Sequence, residues 1–275
     1  MFMRNIDRII SETIHKYINE GIDFDRQSQT VSFVPDKEDN VDTSIETNPT
    51  MDDTIVPNVN VWSIFKRKQG NRGDGNPLIY ALKGENNWKF KTPADRFSIE
   101  MQFNKIAKKF AQQYPIGVTV LVPSGNGLNE YIVQVVLSNS KNAKLLKGIV
   151  CKLTTDEVED IVMKQGSKFR QYYGDNFNSA FEELSLFLED MDNQRGGAFS
   201  RHLIKDKTMR NVLDFTFKCS EDKYAKYANE INGQNLLIID DTISRGQSIK
   251  EICQIMQESY FPKSITVLTL LSKLY

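Results

Sequence analysis

The stretch Leu236-Leu237-Ile238-Ile239-Asp240-Asp241-Thr242-Ile243-Ser244-Arg245-Gly246-Gln247-Ser248 decides the fold of this chain. Four consecutive apolar residues suit a central parallel strand covered on both faces. Two carboxylates close the strand, and a turn bearing hydroxyls and a glycine follows. Past Ser248 the apolar positions Ile249, Ile252, Cys253 and Met256 recur at helical spacing, so the turn joins a strand end to a helix start. Open α/β sheets place their ligands at that position.

Each part of the stretch has a chemical use. Backbone N–H groups entering a helix N-terminus, with the hydroxyls of Ser244 and Ser248 and the close approach that Gly246 permits, suit a phosphate dianion. Asp240 and Asp241 would repel that phosphate at close range. They suit the vicinal hydroxyls of a sugar, or an outer role toward a Mg²⁺ that sugar or phosphate oxygens also bind. A ribose carrying a 5-phosphate satisfies both halves. A nucleotide hydrolase also places acids at a strand end, but it needs a Gly-x-x-x-x-Gly-Lys-Ser/Thr loop upstream, and no Gly-Lys dipeptide occurs in the chain. A phospho-acceptor aspartate needs further strand–helix units downstream, and only 34 residues follow Asp241. A turn without any ligand is the remaining alternative.

The pattern over residues 236–248 resembles the phosphoribosyl-pyrophosphate (PRPP) signature of type I phosphoribosyltransferases. That resemblance implies that Asp240 and Asp241 are the catalytic pair, holding the ribose hydroxyls and stabilising the positive charge that develops as pyrophosphate leaves. It implies that Thr242, Ile243, Ser244, Arg245, Gly246, Gln247 and Ser248 wrap the 5-phosphate. Arg245 stands where Thr is frequent and Gln247 where Gly or Ala is frequent; a guanidinium at 245 suits a phosphate contact. Mg²⁺ is the implied cofactor, held through PRPP and water with no direct protein ligands.

Length and composition set bounds on the rest. A chain of 275 residues buries a sizeable core in one large or two small domains. Lys plus Arg total 35 against 36 for Asp plus Glu, so no global field recruits nucleic acid or an anionic membrane, and a nucleic-acid role would need a local patch. Cys151, Cys219 and Cys253 lie far apart without ligand spacing and read as reduced core residues. The N-terminus lacks a signal-type apolar core and no run of 18 apolar residues occurs, so a cytoplasmic protein is expected.

Along the chain, Ile6, Ile9, Ile10, Ile14, Tyr17 and Ile18 form one helical stripe. Residues 36–60 carry seven acids against one base and read as a loop or linker, mobile unless docked. The basic cluster Lys66, Arg67, Lys68 and Arg72 reads as a solvated loop, with phosphate or nucleic-acid contact as the minority reading. Leu78–Lys83 and Trp88–Phe90 around Gly84-Glu85-Asn86-Asn87 suggest a hairpin. A helix is expected from about Ala94 to Gln113, then a strand from Val118 to Val122. Further expectations are a strand around Lys147 to Leu153, a helix opened by Thr154 or Thr155, an acidic helix with Phe177, Phe181, Leu184, Leu188 and Met191 on one face, a strand through Leu213, Phe215 and Phe217, and a last strand from Ile265 to Leu271.

The strand at 118–122 is followed by Pro123-Ser124-Gly125-Asn126-Gly127 and a helix near Leu128, a second strand–turn–helix unit. The resemblance makes Ser124, Gly125, Asn126 and Gly127 the loop whose amides contact pyrophosphate. It also implies a mobile catalytic loop, for which Arg195, Arg201, Lys207 and Arg210 are candidates by location; His202 is a weaker candidate for a general base. The order of elements, with Arg-Gly-Gly-Ala-Phe ahead of the PRPP-type motif, is similar to the competence-protein-F-like branch of the family, without that branch's Cys-x-x-Cys zinc finger. The expected fold is α/β, a doubly wound parallel sheet over residues 94–275 with residues 1–93 as an N-terminal helix and hairpin hood. The expected activity is Mg²⁺-dependent transfer of ribose 5-phosphate from PRPP to a nitrogenous base, with a homodimer expected by analogy. The alternative is a catalytically silent PRPP- or nucleotide-sensing regulatory or DNA-uptake-associated protein.

Overall fold

The run Leu236–Ile239 lies at the centre of a mixed sheet in a computed structural model that describes residues 20–35, 40–68, 76–124, 127–195, 197–243 and 246–273. In chain order the first elements are β1 (Glu20–Asp25), β2 (Thr30–Pro35), β3 (Val41–Asp42), β4 (Thr50–Asp52), β5 (Asn60–Arg67), α1 (Asn76–Lys83), β6 (Lys89–Phe90), α2 (Pro93–Gln113), β7 (Val118–Leu121), α3 (Leu128–Ser138) and β8 (Lys144–Leu146). There follow β9 (Val150–Lys152), α4 (Thr155–Lys164), α5 (Gly166–Tyr173), α6 (Phe177–Arg195), α7 (Lys207–Val212), β10 (Phe217–Cys219), α8 (Glu221–Ile231), β11 (Asn235–Thr242), α9 (Gln247–Ser259) and β12 (Ser264–Leu271). The stripe at 6–18 lies outside the described residues.

The sheet runs β6-β2-β1-β3-β5-β12-β11-β7-β8, and its β5-β12-β11-β7-β8 part is parallel throughout. Ile238 is flanked by Val267 on one side and Val120 on the other. Alternation sends Leu236 and Ile238 to a core shared with Ile249, Ile252, Cys253 and Met256 of α9. Leu237 and Ile239 go to the opposite core, with Ile106 and Phe110 of α2 and Ile132 and Val136 of α3. Helices therefore cover both faces, which is why this strand needs no polar residue until Asp240. The chain is α/β with a mostly parallel central sheet compatible with a doubly wound core.

The helix boundaries follow their caps. Thr92 accepts from the Asp95 amide while Asp95 accepts from the Thr92 amide, and Thr154 and Glu157 repeat that capping box at α4. Between β9 and β10, α4 to α7 build a separate apolar cluster from Val158, Val162, Phe169, Leu184, Leu188 and Met191. β9 and β10 pair only with each other, antiparallel.

Several expectations are corrected. Residues 78–83 form helix α1, and β6 pairs parallel with β2, so there is no hairpin here. Leu78, Ile79 and Leu82 share one helical face against the core, and a short apolar run carries no periodicity that separates helix from strand. The parallel sheet reaches back beyond residue 94, because β5 pairs in register with β12. Of the acidic segment, residues 40–60 are docked into the fold as β3, β4, the start of β5 and tight turns, and residues 36–39 lie outside the described residues. Asp42, 3% exposed, accepts from the Ser44 amide and the Thr47 hydroxyl, and Lys109 Nζ donates to the carbonyls of Ile45 and Asn48 at 2.7 Å each. The strand expected through Leu213 begins only at Phe217, because Leu213 is drawn into the helical cluster.

Candidate functional site

Because β7 and β11 are adjacent and parallel, the turns that follow them lie at the same edge of the sheet. Each turn ends on a glycine in the left-handed region, Gly127 at φ 71° before α3 and Gly246 at φ 71° before α9. Neither glycine supplies a side-chain cap, so the two helices present first-turn amides to one region of the molecule. Gly125, Asn126, Ser244 and Arg245 lie outside the described residues.

Several of the buried polar atoms without a partner among the described residues lie on these two units. Among the described residues, Ser124 Oγ, Asn129 Oδ1, Glu130 Oε2 and Thr242 Oγ1 are buried and accept or donate no hydrogen bond. Asn129 is fully buried, and its amide Nδ2 donates to the Val122 carbonyl at 2.9 Å, fixing the end of β7. A native fold leaves few such groups unpaired; the Ser124 and Thr242 hydroxyls can donate to a bound anion, whereas Asn129 Oδ1 and Glu130 Oε2 accept and need a ligand hydroxyl or N–H.

Asp240 and Asp241 leave β11 on opposite faces. Asp240 is partly buried, and its Oδ1 accepts from the Asp241 amide at 2.9 Å. Desolvation, then the neighbouring Asp241 charge, pushes its carboxyl far above the ordinary range, up to about 7. The folded state thus holds a proton that the unfolded chain releases near pH 4, and stability falls as pH rises across roughly 4 to 7. Asp240→Asn is expected to raise stability at pH 8 by about 1 kcal/mol or more while leaving pH 4 unchanged. Urea denaturation at the two pH values checks this, and equal effects at both would show that Asp240 is charged and solvated.

Asp241 has a partner that the sequence pattern conceals. Lys83, at the last residue of α1, places Nζ 2.5 Å from Asp241 Oδ2, with only 13% and 11% of the two side chains exposed. Nothing in residues 76–83 marks Lys83 for this role except its place at a helix end. Arg67 is the second residue missed. It is 3% exposed, and its guanidinium donates to the carbonyls of Ile243 and Ser272 and to Asn76 Oδ1 at 3.1 Å. The basic cluster expected to be solvated therefore contributes a buried clamp on the first residue of the glycine turn.

Gly246 has a packing role of its own. A Cβ added there would lie 2.5 Å from Ile55 Cγ2, so the Ile55 methyl occupies the space beside the glycine. Gly246→Ala is expected to cost about 2 kcal/mol, from left-handed strain and displacement of Ile55. A paired Ile55→Ala, Gly246→Ala variant should recover the steric part; an unchanged melting temperature in Gly246→Ala alone would refute the packing.

Of the mobile-loop candidates, Arg201 and Arg210 lie within each other's field. Arg201 is partly buried, donates to the Leu213 carbonyl at 3.3 Å and sits in the field of Glu251 and Asp214. Lys207 and Arg210 are exposed on α7. The side chains of Arg195 and His202 lie outside the description. Of the remaining motif residues, Gln247 Nε2 donates to the Asp214 carbonyl at 3.3 Å, tying the 200–216 segment to the start of α9. Glu251, also missed, accepts from the amides of Thr216 at 2.5 Å and Phe217 at 2.7 Å; burial raises its carboxyl to about 7.

The carboxylates do not fit a directly bound Mg²⁺. One is ion-paired to Lys83 and the other is held toward its neutral form, and no cluster of three acidic, histidine or cysteine side chains with metal-binding placement occurs among the described residues. Oxygens brought by a ligand would have to supply the coordination. No helix among the described residues is long and apolar enough to cross a membrane. Comparison of the chain with protein-family models and with curated proteins returned no match to either.

Proposed function

We propose that the paired glycine turns bind PRPP, and that the chain transfers its ribose 5-phosphate to a nitrogenous base with release of pyrophosphate. The observation that carries this reading is the pair of unpaired buried hydroxyls, Ser124 Oγ and Thr242 Oγ1, one on each of two adjacent turn–helix units and each able to donate to a phosphate oxygen. The first-turn amides of α9 suit the 5-phosphate, and those of α3 suit the pyrophosphate. The carboxylate of Asp241 suits the ribose hydroxyls. A reaction that passes through a sugar cation needs chiefly positioning and preorganised charge, so no serine, cysteine or histidine nucleophile has a place in it.

One observation favours a second reading, a PRPP- or nucleotide-sensing protein without transfer activity. The Lys83 ammonium cancels the Asp241 charge that would stabilise a cationic sugar. Calorimetric titration with PRPP and Mg²⁺, followed by pyrophosphate release across a panel of purines, pyrimidines and related bases, separates the two. Binding with release supports the transferase, binding without release on any base selects the sensor, and no binding overturns both the transferase and a PRPP sensor.

A further inference from the structure

Lys83 and Asp241 form a nearly buried ion pair inside the site assigned to the ribose. Taking a carboxylate and an ammonium out of water is costly, and the pair persists because each neutralises the other. A sugar diol that accepts onto Asp241 must displace the ammonium from it. The displaced ammonium, at the end of a helix whose Leu78 and Ile79 are anchored in the core, would then be desolvated and left with only Asp240 in its field, a carboxyl that burial and the Asp241 charge push toward its neutral form. The exchange is tolerable only if the ligand brings a second anion for Lys83.

We infer that Lys83 is a specificity-determining residue that leaves Asp241 for the anionic group at C1 of the bound sugar, so that the site selects pentose phosphates carrying a second phosphate or pyrophosphate over those with a free C1 hydroxyl. The inference rests on the PRPP-binding reading and adds to it the ligand class and the side chain that enforces it. Lys83 reaches the site from α1, outside both turn–helix units, so the discriminating charge comes from the N-terminal part of the chain. The exchange is non-covalent: a carboxylate–ammonium contact is replaced by a hydroxyl–carboxylate and an anion–ammonium contact, and total charge is conserved.

Calorimetry with PRPP and with ribose 5-phosphate, on wild type, Lys83→Gln and Lys83→Arg, tests this. Wild type is expected to prefer PRPP by at least about a hundredfold, the penalty of a stranded buried charge. In Lys83→Gln that ratio is expected to fall to about tenfold or less, because PRPP loses its ammonium while ribose 5-phosphate gains an unobstructed Asp241. Lys83→Arg is expected to keep most of the preference, since it keeps the charge. A second measurement uses the wild type alone: inorganic pyrophosphate is expected to tighten ribose 5-phosphate binding by supplying the missing anion. An unchanged ratio in Lys83→Gln, or no coupling between pyrophosphate and ribose 5-phosphate, overturns the assignment of Lys83. Absence of PRPP binding to wild type instead removes the underlying reading.

Discussion

Asp241→Asn is expected to lower stability by about 3 kcal/mol, at the lower end for breaking a buried pair, and to abolish PRPP binding. The stability loss does not come from the amide, which nearly matches a carboxylate in shape. It comes from Lys83, whose ammonium stays about nine-tenths covered with its direct partner gone and only the strongly desolvated Asp240 in its field. The double variant Lys83→Met, Asp241→Asn removes both charges and is expected to return to within about 1 kcal/mol of wild type, because a buried pair replaced on both sides is close to neutral. Chemical denaturation of the four proteins in the cycle measures the coupling. Additive single-variant effects would show that the two groups are separately solvated, and the close contact would then count for nothing.

Arg67→Ala is expected to cost about 4 kcal/mol, the larger of the two effects. Its guanidinium satisfies the Ile243 and Ser272 carbonyls at once, in a place where water does not reach. Truncation leaves both acceptors unpaired and opens a void between β5, the turn after β11 and the end of β12. Arg67→Lys is expected to recover less than half, because one ammonium cannot match a planar fork directed at two separated oxygens. Amide exchange is expected to accelerate around Ile243 and Gly246 in both variants before global unfolding. A denaturation midpoint within experimental error of wild type would show that the turn holds its shape without the clamp.

Both predictions concern residues whose importance is invisible in one dimension. Arg67 lies in a run, Lys66-Arg67-Lys68, that has the composition of a solvated loop. Its neighbours Lys66 and Lys68 are only partly exposed, yet nothing in the run tells which of the three turns inward. The choice is made by pairing. Leu271 lies opposite Phe65, the Arg67 amide donates to Ser272 Oγ, and the guanidinium then meets the chain leaving β12. Asp42 and Asp52 show the same effect with opposite charge. In sequence they belong to an acidic stretch, and in the fold they anchor tight turns and, for Asp52, pair with Lys273 at 2.6 Å.

The amino-acid sequence by itself determined the parts that depend on nearest neighbours. The apolar run Leu236–Ile239, the strand at 118–121, the helix ending before Pro115 and the glycine turns before α3 and α9 were legible because period, capping and left-handed backbone are local properties. Only the tertiary structure decided that β5 completes the parallel sheet, that residues 78–83 are helical, and that Lys83 and Arg67 converge on the end of β11 and the residue that follows it. The separations are about 158 residues from Lys83 to Asp241 and 176 from Arg67 to Ile243, so those contacts follow from strand order and burial and leave no trace in spacing. A charge is selected for such a site by the desolvation it must offset, and desolvation exists only once the chain has folded.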